Sequence, residues 1–290
     1  MTGILLINPR AGGGAWRVLP RLRRALADAG LNVEVIATDT PEQLTHHLAA
    51  GCDRLVVAGG DGTINSALGT AIQASVPLAV IPVGTANGVA RELGVPLTIE
   101  GACRVAATGR VCQVDYGRAN GRPFLLMAGV GFDAEVVRRV GQPAKNALGP
   151  FAYVAAGLFT IAHYRPVRVR LSADGVASEI RAHVVIAANA ETYTYDWRVA
   201  PGASLTDGML DVCIFGEAGW LGWLSQVSSV LRHRRLDHRQ VRRLRARAIR
   251  IEAQPAVSVQ VDGDHAGQTP VEIDVVPGGI KVVVPRGPEG

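Results

Sequence analysis

Three glycine-rich segments each follow a short apolar run in the N-terminal third of the chain. They are Asn8–Gly14, Gly59-Gly60-Asp61-Gly62-Thr63 and Pro82–Asn87. Glycine lets the backbone approach a ligand closely, and backbone N–H groups at the start of a helix bind phosphate oxygens. The three segments therefore predict a phosphate-binding site built largely from the main chain.

Asp61 brings a negative charge into the second of these segments. A carboxylate repels phosphate unless a cation lies between the two, and carboxylate oxygens are ligands that Mg²⁺ prefers. We therefore expect Asp61 to act through Mg²⁺, either directly or through water. A plain Asp-Gly turn is the alternative interpretation of this segment taken by itself.

The common nucleotide-binding fingerprints do not fit these segments. A P-loop requires a lysine, and the only lysines of the chain are Lys145 and Lys281. The segment Gly129–Ala134 matches GxGxxA, but the acidic residue that a dinucleotide site carries about 20 residues further on is missing. The protein-kinase elements are missing as well. The sequence thus favours a lysine-free phosphate site that uses a cation.

The elements that would hold these segments alternate between strand and helix. Short apolar runs predict strands, and apolar side chains at helical spacing predict helices. Strands that alternate with helices of this length form a parallel sheet, and ligands bind at the carboxyl ends of its strands. The predicted strands are Ile4–Ile7, Val33–Ala37, Arg54–Ala58 and Leu78–Ile81, and the predicted helices are Trp16–Ala29, Pro41–Ala50, Ile64–Ala74 and Gly88–Leu93.

The pattern changes near residue 115, after which β-type runs dominate and indicate a mostly antiparallel sheet structure. We therefore expect an α/β plus β-rich fold of two domains. The first is an N-terminal α/β nucleotide-binding domain over 1–118, with 280–290 as its candidate completion. The second is a C-terminal, mostly antiparallel β-sandwich domain over 119–279. The predicted strands after residue 115 are Val167–Leu171, Ile180–Ala187, Leu210–Ile214, Ala248–Ile251, Val257–Val261, Val271–Val275 and Ile280–Val284, and the predicted helices are Phe151–Ala162 and Trp220–Arg235.

Five motifs, in order along nearly the whole chain, resemble those of the diacylglycerol kinase catalytic-domain superfamily. Gly59–Asn65 resembles its GGDGTxN signature, and Val261–Asp264 resembles its xDGE motif. The superfamily includes sphingosine and ceramide kinases and the bacterial lipid kinases, to which the chain is most similar. NAD kinases and phosphofructokinases are more distant relatives. The other three motifs are Asn8–Gly13, Pro82–Asn87 and Ala200–Asp211.

The resemblance implies a lipid kinase that uses ATP and Mg²⁺, with its active site in the cleft between the two domains. Asp61 and Asp133 would organise the catalytic Mg²⁺ through water, and Asp262 would be the general base or share that role with Asp264. A separate structural Mg²⁺ would be bound by Asp207 and by the backbone carbonyl groups of Ser204 and Met209. ATP would be held by Asn8, Pro9, Arg10, Ala11, Gly12, Thr38, Gly60, Asp61, Gly62, Thr63, Ile64, Asn65, Ser66 and Thr85.

Two positions depart from the motifs of that superfamily. Ser66 stands where many relatives carry Glu, and Asp264 replaces the usual Glu of DGE, which shortens the carboxylate by one methylene group. Asp262 and Asp264 flank Gly263, so on an extended segment they would lie on the same side and could divide cation binding and proton transfer. A hairpin turn without a catalytic role is the alternative interpretation.

Charge and apolar residues together predict peripheral contact with a membrane. Residues 232–250 contain nine arginines, and Trp220 and Trp223 lie just before them. A basic segment beside aromatic side chains suits an anionic bilayer surface. The alternative is a solvated helix over a packed stripe. The longest apolar stretches fall short of the roughly 20 residues that a membrane span requires, and nothing resembles a nucleic-acid recognition motif, so no nucleic-acid partner is expected.

We therefore predict a cytoplasmic lipid kinase, with peripheral contact at the inner membrane surface where its lipid substrate lies. The four cysteines form no CxxC pair or zinc pattern, which predicts reduced, buried thiols in a reducing compartment. Two alternatives stay open: an NAD-kinase-like enzyme acting on a soluble substrate, and a non-catalytic regulator that binds nucleotide or lipid. The sequence names neither the lipid nor the oligomeric state.

Overall fold

The structure, a computed structural model, describes residues 1–9, 16–38, 44, 48, 51–138, 165–194, 197–216 and 241–287. The chain divides into two units. Unit 1 comprises Met1–Val114 with Gly278–Gly290, and unit 2 comprises Asp115–Pro277. The two units are described separately.

Unit 1 is built on a parallel sheet whose first four strands have the order β2-β1-β3-β4. Both β3 and β4 are buried along their whole length, as is typical of strands in a parallel sheet covered on both faces. These strands are β1 (Thr2–Ile7), β2 (Asn32–Ala37), β3 (Arg54–Gly59) and β4 (Leu78–Pro82), and the helices of the unit are α1 (Leu19–Asp28), α2 (Asp61–Ala74), α3 (Gly88–Glu92) and α4 (Ile99–Thr108).

Helix α1 shows how the sequence pattern determines a helix of this unit. Leu22 and Leu26 are buried one turn apart, while the neighbouring arginines face solvent. Pro20 lies in its first turn, where a missing N–H costs nothing. The chain leaves the helix through Gly30, whose φ of 85° suits glycine. The amphipathic pattern therefore predicts this helix correctly.

One prediction in unit 1 needs correction, and one helix was missed. The sequence predicts a loop over Gly59–Thr63 and a helix from Ile64, but α2 already begins at Asp61. The reason is local, because the Gly60 carbonyl accepts hydrogen bonds from both Thr63 N (3.0 Å) and Ile64 N (3.1 Å). Helix α4 was not predicted at all. The predicted helix Pro41–Ala50 lies almost wholly outside the described residues.

Unit 2 contains a six-stranded antiparallel sheet of order β14-β13-β10-β7-β16-β17 and a second group in which β18 pairs with β15, β15 with β8, and β8 with β9. The strands of the first sheet are β7 (Met127–Gly131), β10 (Val184–Ala188), β13 (Leu210–Phe215), β14 (Arg242–Ala246), β16 (Ser258–Val261) and β17 (Asp264–Gln268). The others are β6 (Arg122–Phe124), β8 (Val167–Ala173), β9 (Val176–Ala182), β11 (Thr192–Thr194), β12 (Trp197–Arg198) and β15 (Ala248–Gln254), together with β5 (Arg110–Ala119), which begins in unit 1, and β18 (Val271–Val284), which ends there.

The apolar core of unit 2 is shared by both groups of strands. Val130 and Val259 of the first sheet belong to the same buried cluster as Leu171 and Ile249 of the second group. The cluster also includes Phe124, which is fully buried. A shared core between two antiparallel sheets is the arrangement of a β-sandwich, which confirms the predicted fold class for this part of the chain.

Two strand predictions in unit 2 are wrong in their limits. The predicted strand Ile180–Ala187 is two strands, because β9 ends at Ala182 and β10 starts at Val184 in the other sheet. His183 lies at the break, where its N–H donates to the Phe215 carbonyl at 2.9 Å. The two predicted strands after residue 270 are one strand, β18, and its last part belongs to unit 1, where Val282 pairs with Leu78 of β4. The predicted helices Phe151–Ala162 and Trp220–Arg235 lie outside the described residues.

The cysteines and the helices bear on two further predictions. All four cysteines are free. Burial raises the pKa of Cys103 to about 12 and that of Cys213 to about 11, whereas Cys52 and Cys112 are only partly buried. The prediction of buried thiols is therefore right for two of the four. Within the ranges that the structure describes, no helix is both long enough and apolar enough to cross a bilayer.

Candidate functional site

Four of the residues predicted to bind ATP follow the ends of the four parallel strands of unit 1. Asn8 follows β1, Thr38 follows β2, Gly60 follows β3, and Thr85 lies just after β4. Because the strands are parallel, these residues lie at one edge of the sheet. The strand order reverses direction between β1 and β3, and open α/β sheets bind ligands at such a reversal. Asn8 and Gly60 flank that point.

A close contact between two glycines joins the second and third predicted loops. A Cβ atom placed on Gly84 would overlap the Cα atom of Gly60, and it would lie 2.9 Å from Asn87 Oδ1. Asn87 then closes the third loop, since its Oδ1 accepts from Gly84 N at 3.0 Å and its Nδ2 donates to Gly84 O at 2.9 Å. The two loops can approach this closely because position 84 is glycine, and a Cβ atom on Gly60 would also be tight, at 3.2 Å from Gly84 Cα.

Asp61 is the first residue of α2, and one of its carboxylate oxygens already has a protein partner. Its Oδ1 accepts a hydrogen bond from Val89 N at 2.9 Å, which ties α2 to the start of α3. The α2 N-cap, Gly60, provides no side-chain hydrogen bond. The first turn of a 14-residue helix therefore has backbone N–H groups and a positive dipole end available to an anion.

The remaining predicted ATP residues differ in exposure. Pro9 and Gly62 are exposed, whereas Thr63, Ile64 and Asn65 are buried in α2. Ser66 donates from its hydroxyl to the Thr63 carbonyl at 2.9 Å, a bond within the helix. The buried side chains support the helix, so contact with a ligand there would come from the backbone. Arg10, Ala11 and Gly12 lie outside the described residues.

In unit 2, Asp262 and Gly263 are the two central residues of the turn between β16 and β17. Their φ values are 45° and 82°, and Val261 pairs with Asp264 across the turn. Two central residues with positive φ are the mark of a type I′ hairpin. The expectation that Asp262 and Asp264 lie on the same side of an extended segment is therefore wrong. Asp262 belongs to the turn, and Asp264 begins the next strand.

The Asp262 carboxylate accepts three backbone hydrogen bonds. Its Oδ2 accepts from Leu125 N at 2.7 Å, and its Oδ1 accepts from Leu126 N at 3.0 Å and Met127 N at 2.9 Å. These bonds fix the segment that leads into β7. An acceptor engaged in this way suits a structural anchor better than a base that must take a proton.

Asp264 has more open surroundings. Its side chain is 26% exposed, and its Oδ2 lies 3.4 Å from an Arg122 guanidinium nitrogen. Arg122 also donates to the carbonyl of His265 at 3.0 Å, so the arginine side chain lies beside the start of β17. Asp264 is therefore a partly exposed carboxylate beside a positive charge.

Asp133 is buried, and this burial raises its pKa to about 6. Its Oδ1 accepts from Ala134 N at 2.8 Å, and its Oδ2 accepts from Gln260 Nε2 at 3.0 Å. A Cβ atom on Gly129 would overlap the Asp133 carboxylate. The glycines of the GxGxxA match thus have a physical role in this chain, because Gly129 leaves room for an acid. Sequence analysis did not single out Gln260, although a polar residue between Val259 and Val261 was a signal.

The loop predicted to bind a structural Mg²⁺ is held by protein groups. The Asp207 carboxylate accepts from Met209 N at 3.1 Å and is paired with the Arg245 guanidinium. Asp115 Oδ2 accepts from Gly208 N at 2.7 Å and fixes the loop from the other side. Ser204 bonds through its hydroxyl to Thr206. As folded, this donor set suits the guanidinium rather than Mg²⁺, because a cation would have to displace Arg245 from Asp207.

Comparison with known proteins identifies the family. Residues 2–119 match the profile of the diacylglycerol kinase catalytic domain, and residues 127–284 match that of the YegS C-terminal NAD kinase beta sandwich-like domain. The chain belongs to the diacylglycerol kinase family. A diacylglycerol kinase of Mycobacterium tuberculosis is 31% identical to this family member over 97% of the chain and 94% of the relative.

A second curated relative and a solved structure agree with this membership. A diacylglycerol kinase of Bacillus subtilis is 28% identical over 97% of the chain and 96% of the relative. The crystal structure of a diacylglycerol kinase from Bacillus anthracis superposes with a TM-score of 0.79 at 26% identity, covering 99% of this chain and 97% of that one. The predicted family and the predicted two-domain fold are thereby confirmed, and family membership supports kinase chemistry.

Proposed function

We propose that this protein transfers the γ-phosphoryl group of ATP to a hydroxyl group of a lipid, with diacylglycerol as the first substrate to test. The observation that carries the proposal is the edge of unit 1 where four parallel strands end, with the Gly60–Gly84 contact and the uncapped start of α2. Such an edge suits the phosphates of a nucleotide. The names of the curated relatives support diacylglycerol as the acceptor.

Phosphoryl transfer depends mainly on positioning and on neutralising charge. The backbone of Gly60–Thr63 and the residues at the ends of β1, β2 and β4 would hold the ATP phosphates, together with Arg10, Ala11 and Gly12 of the first loop. When bound, Mg²⁺ would neutralise negative charge on the phosphates. Asp61 fits a role in holding it through water, because its Oδ1 is anchored on Val89 and fixes the direction of the carboxylate.

We assign the two acids of the β16–β17 turn to different tasks. Asp264, partly exposed and beside Arg122, would accept the proton of the attacking lipid hydroxyl as the general base. Asp262, with three backbone hydrogen bonds, would position that turn. Asp133 would help to orient water around the cation. Its carboxylate is fixed in direction by its bonds to Ala134 N and Gln260.

The lipid acceptor lies in a bilayer. We therefore place the reaction in the cytoplasm, at the inner surface of the membrane, which the protein would reach by peripheral contact. The basic segment predicted to make that contact includes Arg242 and Arg247, which are exposed. Its first part, 232–240, and the two tryptophans before it lie outside the described residues.

The test is a phosphate-transfer screen with purified protein, radiolabelled ATP and Mg²⁺. Diacylglycerol, sphingoid bases, phosphatidylglycerol, polyprenols and a total lipid extract would be presented in mixed micelles, and the labelled product would be identified. The proposal is supported if the wild-type protein labels a lipid and the Asp264→Asn variant does not. ATP binding without transfer to any lipid would instead support a non-catalytic regulator.

A second candidate is phosphorylation of NAD or another soluble acceptor. It is favoured by the match of residues 127–284 to a domain described as NAD kinase-like. The same assay with NAD in place of lipid separates the two, since a faster transfer to NAD than to any lipid would replace the lipid proposal.

A further inference from the structure

Gln260 is a buried amide between two core residues of β16. Its neighbours Val259 and Val261 belong to the apolar core, so its side chain lies on the opposite face of the strand. Only 1% of Gln260 is exposed. A buried amide is costly unless both of its ends have hydrogen-bond partners, so the identity of those partners indicates why the residue is there.

Both ends of the Gln260 amide form hydrogen bonds, and the chemistry of the two partners determines which end faces each of them. Gly263 N donates to Gln260 Oε1 at 2.8 Å, and Gln260 Nε2 donates to Asp133 Oδ2 at 3.0 Å. A backbone N–H can only donate, so the amide oxygen must face Gly263. The NH₂ group must then face the carboxylate of Asp133. One side chain thus bridges the buried acid and the turn that precedes Asp264.

The turn needs this support because both of its central residues have positive φ. Asp262, at φ 45°, is in a conformation that an L-residue rarely adopts. Its own carboxylate holds the turn from the side of Leu125, and Gln260 holds it from the side of Asp133. Losing the Gln260 bond would remove this support at Gly263 N and let the start of β17, with Asp264, change position.

Gly129 of β7 leaves the space in which the Gln260–Asp133 hydrogen bond forms. A Cβ atom at this position would lie 2.6 Å from Gln260 Nε2 and would overlap the Asp133 carboxylate. The strand β7 therefore lacks a side chain at the point where the amide and the acid meet. Three elements meet at this one hydrogen bond. They are β7, which carries Gly129, β16, which carries Gln260, and a short helix over residues 132–138, which carries Asp133.

We infer that Gln260 is a positioning residue that sets the place of Asp264 by tying the Asp262–Asp264 turn to Asp133. This inference rests on the proposed kinase function. It assigns Gln260 no contact with substrate. It predicts that changing the amide lowers the rate of phosphoryl transfer while ATP binding in unit 1 is unchanged.

The test compares Gln260→Leu, which loses both hydrogen bonds, with Gln260→Glu, which keeps an acceptor for Gly263 N but places a second carboxyl group against Asp133. Ser258→Ala is the matched control, because Ser258 is on the same face of β16 and bonds to Glu135 at 3.1 Å. For each variant, kcat, the KM for ATP and the amide exchange rate of Gly263 by NMR are measured.

We expect Gln260→Leu to lower kcat at least about tenfold, with the KM for ATP within about twofold of wild type, and to speed exchange at Gly263 by about tenfold or more. Gln260→Glu should keep Gly263 protected and still lower kcat. Ser258→Ala should change neither quantity.

Three results would overturn the inference. They are a Gln260→Leu protein that turns over like the Ser258→Ala control, an unchanged exchange rate at Gly263, or an equal loss in kcat and in ATP affinity. If wild type transfers no phosphate to any acceptor, the proposed function fails together with the catalytic part of this inference. The exchange rates would still show whether the bridge holds the turn.

Discussion

Asp262 Oδ2 accepts a hydrogen bond from the backbone N–H of Leu125 at 2.7 Å, although the two residues are far apart in the sequence. The other carboxylate oxygen accepts from the next two backbone N–H groups. Asp262 therefore holds two parts of unit 2 together, and its neighbour Asp264 is the acid whose side chain is partly exposed beside Arg122.

This difference predicts opposite outcomes for two conservative variants. Asp262→Asn places an NH₂ group against backbone donors, and we expect it to lower the free energy of unfolding by about 2–4 kcal/mol. Asp264→Asn should change it by less than about 1 kcal/mol, because its ion pair is long, at 3.4 Å, and partly exposed, but should lower kcat about 100-fold or more. Urea unfolding and the lipid-transfer assay measure the two effects. A fully active Asp264→Asn protein would remove Asp264 as the base.

Gly62 and Gly84 lie at the edge of unit 1 that we propose binds the ATP phosphates, and they predict a second pair of opposite effects. At Gly62, a Cβ atom would meet nothing within 4 Å, and alanine favours a helix over glycine by about 0.5–1 kcal/mol. We expect Gly62→Ala to raise stability slightly while weakening ATP binding, because the new methyl group would occupy space that the phosphates need. Gly84→Ala should lower stability, because its Cβ would overlap Gly60.

Thermal melts and ATP titration by calorimetry test this pair. A Gly62→Ala protein that is more stable and binds ATP as tightly as wild type would contradict a phosphate position at the start of α2. Gly60→Ala should cost less stability than Gly84→Ala, because a Cβ atom on Gly60 would lie 3.2 Å from Gly84 Cα, whereas one on Gly84 would overlap Gly60 Cα.

Much of unit 1 could be predicted from the sequence because its signals are local. Apolar runs of β3 and β4 are buried on both faces, and each is followed by glycine. The start of α2 was misplaced because glycine and aspartate are weak helix formers. Two hydrogen bonds to the Gly60 carbonyl, which begin the helix at Asp61, outweigh that preference.

The candidate site of unit 2 was harder to predict, since its partners are remote in the sequence. No local pattern indicates that Asp262 accepts from Leu125 or that Gln260 reaches Asp133. The pairing of Arg245 with Asp207 is equally invisible in the motif that suggested a metal. The motif found the acids, and the tertiary structure decides which of them have protein partners.

Arg245 provides the positive charge that pairs with Asp207. We therefore expect the stability of the Asp207 loop not to depend on Mg²⁺. Arg245 also approaches Asp211, with its Nε 3.6 Å from the buried Asp211 Oδ2. Without nucleotide, we expect the melting temperature of wild type to be the same in Mg²⁺ and in EDTA. Arg245→Met should be destabilised by about 1 kcal/mol in EDTA and recover in Mg²⁺, because Asp207 would then lose its guanidinium partner, whereas Asp211 keeps its ion pair with Arg243 at 2.8 Å.

Arg247→Met is the control, since Arg247 is an exposed arginine just past β14. It should behave as wild type in both solutions. A wild-type protein that loses several degrees of melting temperature in EDTA would instead support the structural Mg²⁺ site at Ser204, Asp207 and Met209.

The buried acid Asp133 predicts how stability depends on pH. Its pKa is raised from 3.8 to about 6 by burial, so between these values the folded protein binds a proton that the unfolded chain releases. The stability that this group contributes is fully present below pH 3.8 and is lost as pH rises through 6. At neutral pH the charged, buried carboxylate costs on the order of 3 kcal/mol relative to acid pH.

Asp133→Asn removes the titrating group while keeping the shape of the side chain. In EDTA, the free energy of unfolding of this variant minus that of wild type should increase from pH 4.5 to pH 7 by about 2 kcal/mol. Any constant offset from an altered bond to Gln260 cancels in that slope. Urea unfolding across this pH range measures it, and a flat difference would mean that Asp133 ionises in the folded protein as it does in the unfolded chain.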